Sequence, residues 1–287
     1  MYSNIIFQGK NGEHSYITYQ LNYLTERERY LTYLLPILKE EYGLGESFDK
    51  KTETLSDEKK KILEGLMAKY NTPNPAVNPL KNGKTHLKPT RSKAGELIAK
   101  DLMKNQLNVK FAGRISCEEE EPDVPKRGID NFGFIFKDNN GDIKLEKIVM
   151  CEVKASDQLK NPPDVVESNK DSLYKELMKL SKLDDRLMKA LAKAFDRFDL
   201  NEYATLIGSL IVDFNQNDDL QETRKKMTVV PFLLRTKEAY RDEDFGKFYS
   251  DPSEFTTTTI KYFIVVVDVP LSDFADDVYS EIRGENK

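Results

Sequence analysis

The sequence predicts an α/β fold built on a central mixed sheet flanked by helices. Three observations carry this expectation. Residues 92–156 read as a helix followed by short strands, strongly helical stretches come next, and two further strands lie near the C-terminal end. The 287 residues suffice for one large domain or two small ones. With 39% hydrophobic and 32% charged residues, the composition is that of a globular chain with a heavily charged surface.

Taken in order, residues 4–21 read as a hairpin, NIIFQ and SYITYQL joined through KNGE. TERERYLTYLLPILKEEYG opens with a capping box, Thr25 with Glu28, and spaces Leu31, Leu34, Leu35 and Leu38 on the helical period. Pro36 is expected to bend or split that helix. SDEKKKILEGLMAKY is a second helix. NTPNPAVNPLKNGKTHLKPT has four prolines and no periodicity, so it reads as a long loop. That loop ends an N-terminal elaboration, residues 1–90, ahead of a core expected over residues 91–287.

The core begins with SKAGELIAKDLMKNQ, capped by Ser92, with Ala94, Leu97, Ile98 and Leu102 on one face. VKFAGRIS is a short strand. NFGFIFKD and KLEKIVMCEVKA form a hairpin across the turn NNGD. SLYKELMKLSKLDDRLMKALAKAF is helical, and NEYATLIGSLIVDF reads as another buried helix whose end could equally be strand. TVVPFLLR and IKYFIVVVDV are strands, the second apolar enough to be buried on both faces. SDFADDVYSEI closes the chain as a short helix.

Several function classes drop out. No apolar run approaches the roughly 20 residues that cross a bilayer. The N-terminus lacks the residue order of a signal peptide. The two cysteines have no framework spacing, so a reducing, cytoplasmic location is expected. His14 and His86 are far apart and no zinc-ligand spacing occurs. Any catalysis must therefore use carboxylates, lysines or a hard metal. The net charge is −5, yet residues 81–114 are basic, with only Glu96 and Asp101 as acids, and the part after Arg241 is acidic. Such a basic stretch can hold phosphates, and it equally fits a solvated face.

Strand alternation singles out one place. Glu152 and Lys154 share a face with Ile148 and Met150, while Val149, Cys151 and Val153 point the other way. At roughly 3.3 Å per residue the two polar groups lie about 7 Å apart along the strand. Asp130 shares its face with Phe132, Phe134 and Phe136 in the preceding strand. Pairing through NNGD would bring Asp130 and the Glu152–Lys154 pair to the same end of the hairpin. Glu96, on the upstream helix, is placed to join them. Paired carboxylates bind Mg²⁺ (or Mn²⁺), which activates water and neutralises a phosphodiester transition state; the lysine orients that water or stabilises charge. Glu-x-Lys alone is a weak signal, since it recurs at Glu58 and Lys60. An ordinary cross-strand ion pair of Lys154 is the plain alternative.

This set resembles the PD-(D/E)XK nuclease superfamily. Asp130 matches its metal-binding aspartate, Glu152 and Lys154 its (D/E)XK pair, and Glu96 the acid of the first core helix; the match covers about residues 92–156. Ile129 stands where many members have proline, and no Gln-x-x-x-Tyr follows the lysine. The resemblance implies a restriction-endonuclease-like core, with Asp130, Glu152 and Glu96 as metal ligands. Within the superfamily, "GIDNFGF…CEVKAS" and the two late strands are similar to the HamA/AbpA nuclease subunits of Hachiman-type anti-phage defence. That likeness implies a metal-dependent DNA endonuclease or nickase controlled by a helicase (ATPase) partner, and phosphate contacts from the basic stretch 81–114, which read no sequence, predict little sequence preference. The alternatives are a sequence-specific restriction endonuclease and an inactive nuclease-fold binding subunit.

Overall fold

The structure, a computed structural model, describes residues 1–77, 80–81, 84–85, 88–117, 121–123, 128–168, 171–182, 185–198, 201–216 and 221–285. The expected N-terminal hairpin is present as β1 (Ile5–Asn11) and β2 (His14–Leu21), with Gly12 at positive φ in the turn. Helices α1 (Tyr23–Glu41), α2 (Glu46–Thr52) and α3 (Asp57–Asn71) follow. The interruption in α1 falls at Glu26, not at Pro36. Proline costs the helix one hydrogen bond, and the buried Leu31, Leu34 and Leu38 on either side of it hold the helix together. The Thr25–Glu28 capping box does not form, because the helix already begins at Tyr23 after Asn22.

Two-residue strands β3 (Leu80–Lys81) and β4 (Lys84–Thr85) interrupt the loop over 71–90. Helix α4 (Pro89–Leu107) starts earlier than expected. Proline at its first turn forfeits an N–H that has no intrahelical partner, so Lys88 is the cap and Ser92 lies inside. Then come β5 (Lys110–Phe111), a 3₁₀ turn at Ile115–Cys117 that shortens the expected strand, β6 (Asn131–Asn139) and β7 (Asp142–Ser156). The single long helix expected after Ser172 is two: α5 (Leu173–Ser181), capped by Ser172, and α6 (Asp185–Arg197). The chain continues through α7 (Asn201–Gln216), α8 (Gln221–Lys225), β8 (Met227–Thr236), β9 (Thr259–Val267) and α10 (Leu271–Arg283).

Seven strands form one mixed sheet in the order β1-β2-β9-β8-β7-β6-β5. The contacts β2–β9, β9–β8 and β8–β7 are parallel, and the remaining three are antiparallel. The N-terminal hairpin thus extends the same sheet as the late strands. Each face carries its own core: α1, α4 and α10 cover Cys151, Val153, Phe232 and Val265, whereas α5, α6 and α7 cover Phe134, Met150, Val229 and Ile264. Strands β8 and β9 feed both cores, which explains their unbroken apolar runs. Pro231 sits in the central strand β8, and the β8–β9 pairing skips Val230 and Pro231, where the missing N–H cannot complete a ladder. No helix among the described residues is long and apolar enough to cross a membrane.

Candidate active site

Asn140 and Gly141 both adopt positive φ, the geometry of a tight two-residue hairpin turn, and this sets the β6–β7 register. Asn131 lies opposite Cys151, Phe132 opposite Met150 and Phe134 opposite Ile148. The aromatic and Ile/Met side chains enter the core under α5–α7, while Val149, Cys151 and Val153 enter the core under α4. By alternation Glu152 and Lys154 stand on the α5–α7 side. Asp130 immediately precedes the first paired residue, Asn131, and its charge reaches Glu152. The Asp130 carboxylate reaches over the strand: its Oδ2 accepts a hydrogen bond from the Val153 N–H at 2.7 Å.

Glu152 is buried, 4% exposed, and its Oε1 has no hydrogen-bond partner. Burial, and then the charge of Asp130, push its carboxyl well above the ordinary carboxylate range; Lys154 and Arg186 pull the other way without cancelling them. Asp130 and Lys154 are partly exposed. Lys154 forms no ion pair within 4.0 Å among the described residues, so the cross-strand pair weighed as the plain alternative is not made.

Glu96 arrives from the opposite face. Helix α4 can lie close to β7 because residue 95 is glycine: a Cβ there would stand 2.9 Å from Val153 Cγ1. The next residue is Glu96, 5% exposed, whose carboxylate faces Lys93 Nζ at 3.3 Å. Its carbonyl accepts from Asn131 Nδ2 at 3.1 Å, which ties α4 to the residue beside Asp130. The buried Cys151 thiol senses all of this: burial raises its pKa first, then Asp130, Glu152 and Glu96 in turn. All three acids therefore act on the same thiol. Even so, no three or more His, Cys, Asp and Glu side chains among the described residues are gathered closely enough to hold a metal ion.

Two contacts escape a reading of the sequence. Arg186 on α6 pairs with Glu176 on α5 at 2.6 Å and reaches the field of Glu152, a placement set by the tertiary fold and not by local spacing. Arg91, in the first turn of α4, pairs with Asp157 just beyond β7 at 2.8 Å. The exit of β7 is held further by Arg235, a fully buried residue opposite Ser156. Its guanidinium donates to Asp244, to the carbonyls of Ser156, Gln158 and Lys160, and to that of Ala239.

The basic stretch over 81–114 is not one open face. Lys100 and Lys104 bind Glu41, Arg91 binds Asp157, Lys93 faces Glu96, Lys88 binds Asp276, and Arg114 bonds Ser47. Most of that charge is used inside the fold. Comparison with protein-family models and with curated proteins found no match.

Proposed function

We propose that this chain is a metal-dependent deoxyribonuclease with a restriction-endonuclease-like core, cutting phosphodiester bonds at the Asp130–Glu152–Lys154 site. One observation carries the reading: a buried glutamate with an unpartnered oxygen, within the field of Asp130 and on the same strand face as Lys154, which makes no ion pair among the described residues. Burying a bare carboxylate oxygen is costly, and a fold keeps such a group where a ligand is to complete it.

A hard divalent ion fits these donors. Asp130 and Glu152 would hold it, Mg²⁺ or Mn²⁺, while Glu96, the third acid expected in the set, is not gathered to the same point. When bound, the ion supplies the positive charge that offsets phosphate repulsion and it makes water more acidic. The protein's own contribution is positional. The Val153 N–H orients Asp130, the hairpin ladder fixes Glu152 one residue beyond the Asn131–Cys151 pair, and Lys154 orients water or stabilises charge on the departing oxygen. Contacts with the strand's phosphates carry no base information, which accords with little sequence preference. The resemblance to Hachiman-type nuclease subunits adds an anti-phage role under a helicase partner.

Plasmid cleavage in Mg²⁺, alone and with such a helicase and ATP, tests the proposal. Wild type is expected to nick or degrade the plasmid, and Asp130→Ala and Lys154→Ala are expected to leave it intact. Undiminished cleavage by both variants would remove the site from the reaction. A second reading, an inactive nuclease fold that only binds, is favoured by the three acids not being gathered round one point. Calorimetric titration with Mn²⁺ separates the two, because the inactive subunit takes up no metal that Glu152→Gln abolishes.

A further inference from the structure

Beside the acids lies a cavity of about 370 Å³ that none of the chemistry above uses. Its floor is apolar, with Ile129 and Phe132 from the chain either side of Asp130 and with Ala190 from α6. Its rim is cationic: Arg186, Lys189, Lys193 and Arg197. These four follow one another at intervals of three, four and four residues, so they form a single stripe along one side of α6. Lys189 and Lys193 are exposed; the acids of α6, Asp185 and Asp196, border the stripe and do not line the cavity.

The volume is that of a small-ligand pocket, and the lining has two chemistries. An apolar floor with an aromatic ring suits a flat, weakly polar group. A row of four cations suits a chain of anions spaced along a backbone. A nucleic-acid strand presents both at once: bases with π-faces, linked by phosphates.

We propose that this cavity is a subsite for one unstacked nucleotide of a DNA strand, its base against Phe132 and Ile129 and its backbone phosphates along the α6 stripe. Ile129 and Phe132 flank Asp130 in the chain, so a nucleotide seated there delivers a neighbouring phosphodiester to the acids. Arg186 links the two places, since it lines the cavity and acts on the Glu152 carboxyl. A base held in a duplex stack cannot enter a concave pocket without first leaving the stack. The favoured substrate is therefore single-stranded or locally melted DNA. This rests on the nuclease reading only for the fate of the strand; the binding claim stands by itself.

Fluorescence anisotropy in EDTA tests it with three probes: a single-stranded oligonucleotide, its duplex, and the same single strand with abasic positions. Wild type is expected to bind the single strand roughly tenfold tighter than either of the other probes. Lys189→Glu with Lys193→Glu is expected to weaken binding by roughly tenfold or more. The same double variant is expected to make the salt dependence shallower by about 0.7 for each phosphate it no longer neutralises. Equal affinity for the abasic and normal strands overturns the base subsite. Affinity unchanged in the double variant overturns the phosphate track. Because no metal or cleavage is needed, a protein that binds as described yet never cuts retains the subsite while losing the nuclease reading.

Discussion

Glu41 and Glu152 are almost equally buried, 2% and 4% exposed, and the fold treats them in opposite ways. Glu41 ends α1 in a closed charge cluster. Lys100 Nζ stands 2.6 Å from one carboxylate oxygen, Lys104 Nζ 2.8 Å from the other, and the Ile115 N–H donates at 2.9 Å. Burial alone would raise its pKa, but the two lysines outweigh burial and hold the carboxyl below its usual range. At Glu152 the balance is reversed: one oxygen is bare, and the nearest acid adds repulsion. The difference teaches that burial does not mark a functional acid. The two glutamates differ in completion: Glu41 has its partners built in, and Glu152 has one oxygen without any.

The comparison breaks most visibly at Glu41. Glu41→Ala strands two lysines, one of them buried, and is expected to cost about 3–5 kcal/mol of stability, read from urea unfolding. The corresponding change at the other glutamate, Glu152→Ala, is expected to leave the melting temperature close to wild type. Its effect falls on cleavage, a loss of roughly 10²–10³ in rate, the size seen when one electrostatic stabiliser is removed. If Glu152→Ala unfolds the protein as Glu41→Ala does, the distinction between the two sites is lost.

Acidity sharpens the contrast. A carboxyl lowered in the folded state contributes stability above its unfolded value, near 4.3, and that contribution disappears as pH falls through the folded value. Glu41 is this case. A raised carboxyl acts inversely: the unfolded chain releases the proton first, so stability declines as pH rises from about 4.3 toward the folded pKa. Melting curves from pH 3 to 9 are expected to show Glu41→Gln weakening the protein at neutral pH far more than in acid. Glu152→Gln is expected to raise the melting temperature at neutral pH by a few degrees. Added Mn²⁺ is expected to stabilise wild type and not Glu152→Gln.

The smallest effect is expected at Gly95. Alanine there gains about 1 kcal/mol of helix propensity but places a Cβ 2.9 Å from Val153 Cγ1. Stability is expected to change little, while the displaced Glu96 lowers cleavage severalfold. Equal cleavage by Gly95→Ala and wild type would show that the approach of α4 does not matter to the site.

Legibility in the sequence follows the range of the interaction. The β6–β7 hairpin is readable because NNGD sets the turn and alternation sets the faces, both within a few residues. The shared face of Glu152 and Lys154 comes from the same rule. Glu41 is not readable: in KEEYG it resembles any solvated acid at a helix end, and its partners lie on α4. The role of the basic stretch is hidden for the same reason, since nothing local shows that Lys93, Lys100 and Lys104 turn toward carboxylates. Arg186 acquires its place through its pairing with Glu176 on α5, ten residues back in the chain. The break in α1 at Glu26 depends on how Asn22 begins the helix, where Thr25 and Pro36 are the louder signals.

Arg235 ties together the chain segments at the exit of β7. Its guanidinium grips carbonyls on the chain leaving β7 and on the turn at Ala239, with Asp244 as counter-charge. Those segments are thereby welded into a single plate, two residues past Lys154. The segment 239–244 is in this way tied to the chain that leaves β7 just after Lys154. Arg235→Lys would keep the charge but offer three donors for five, leaving the anvil in place and loosening its bolts.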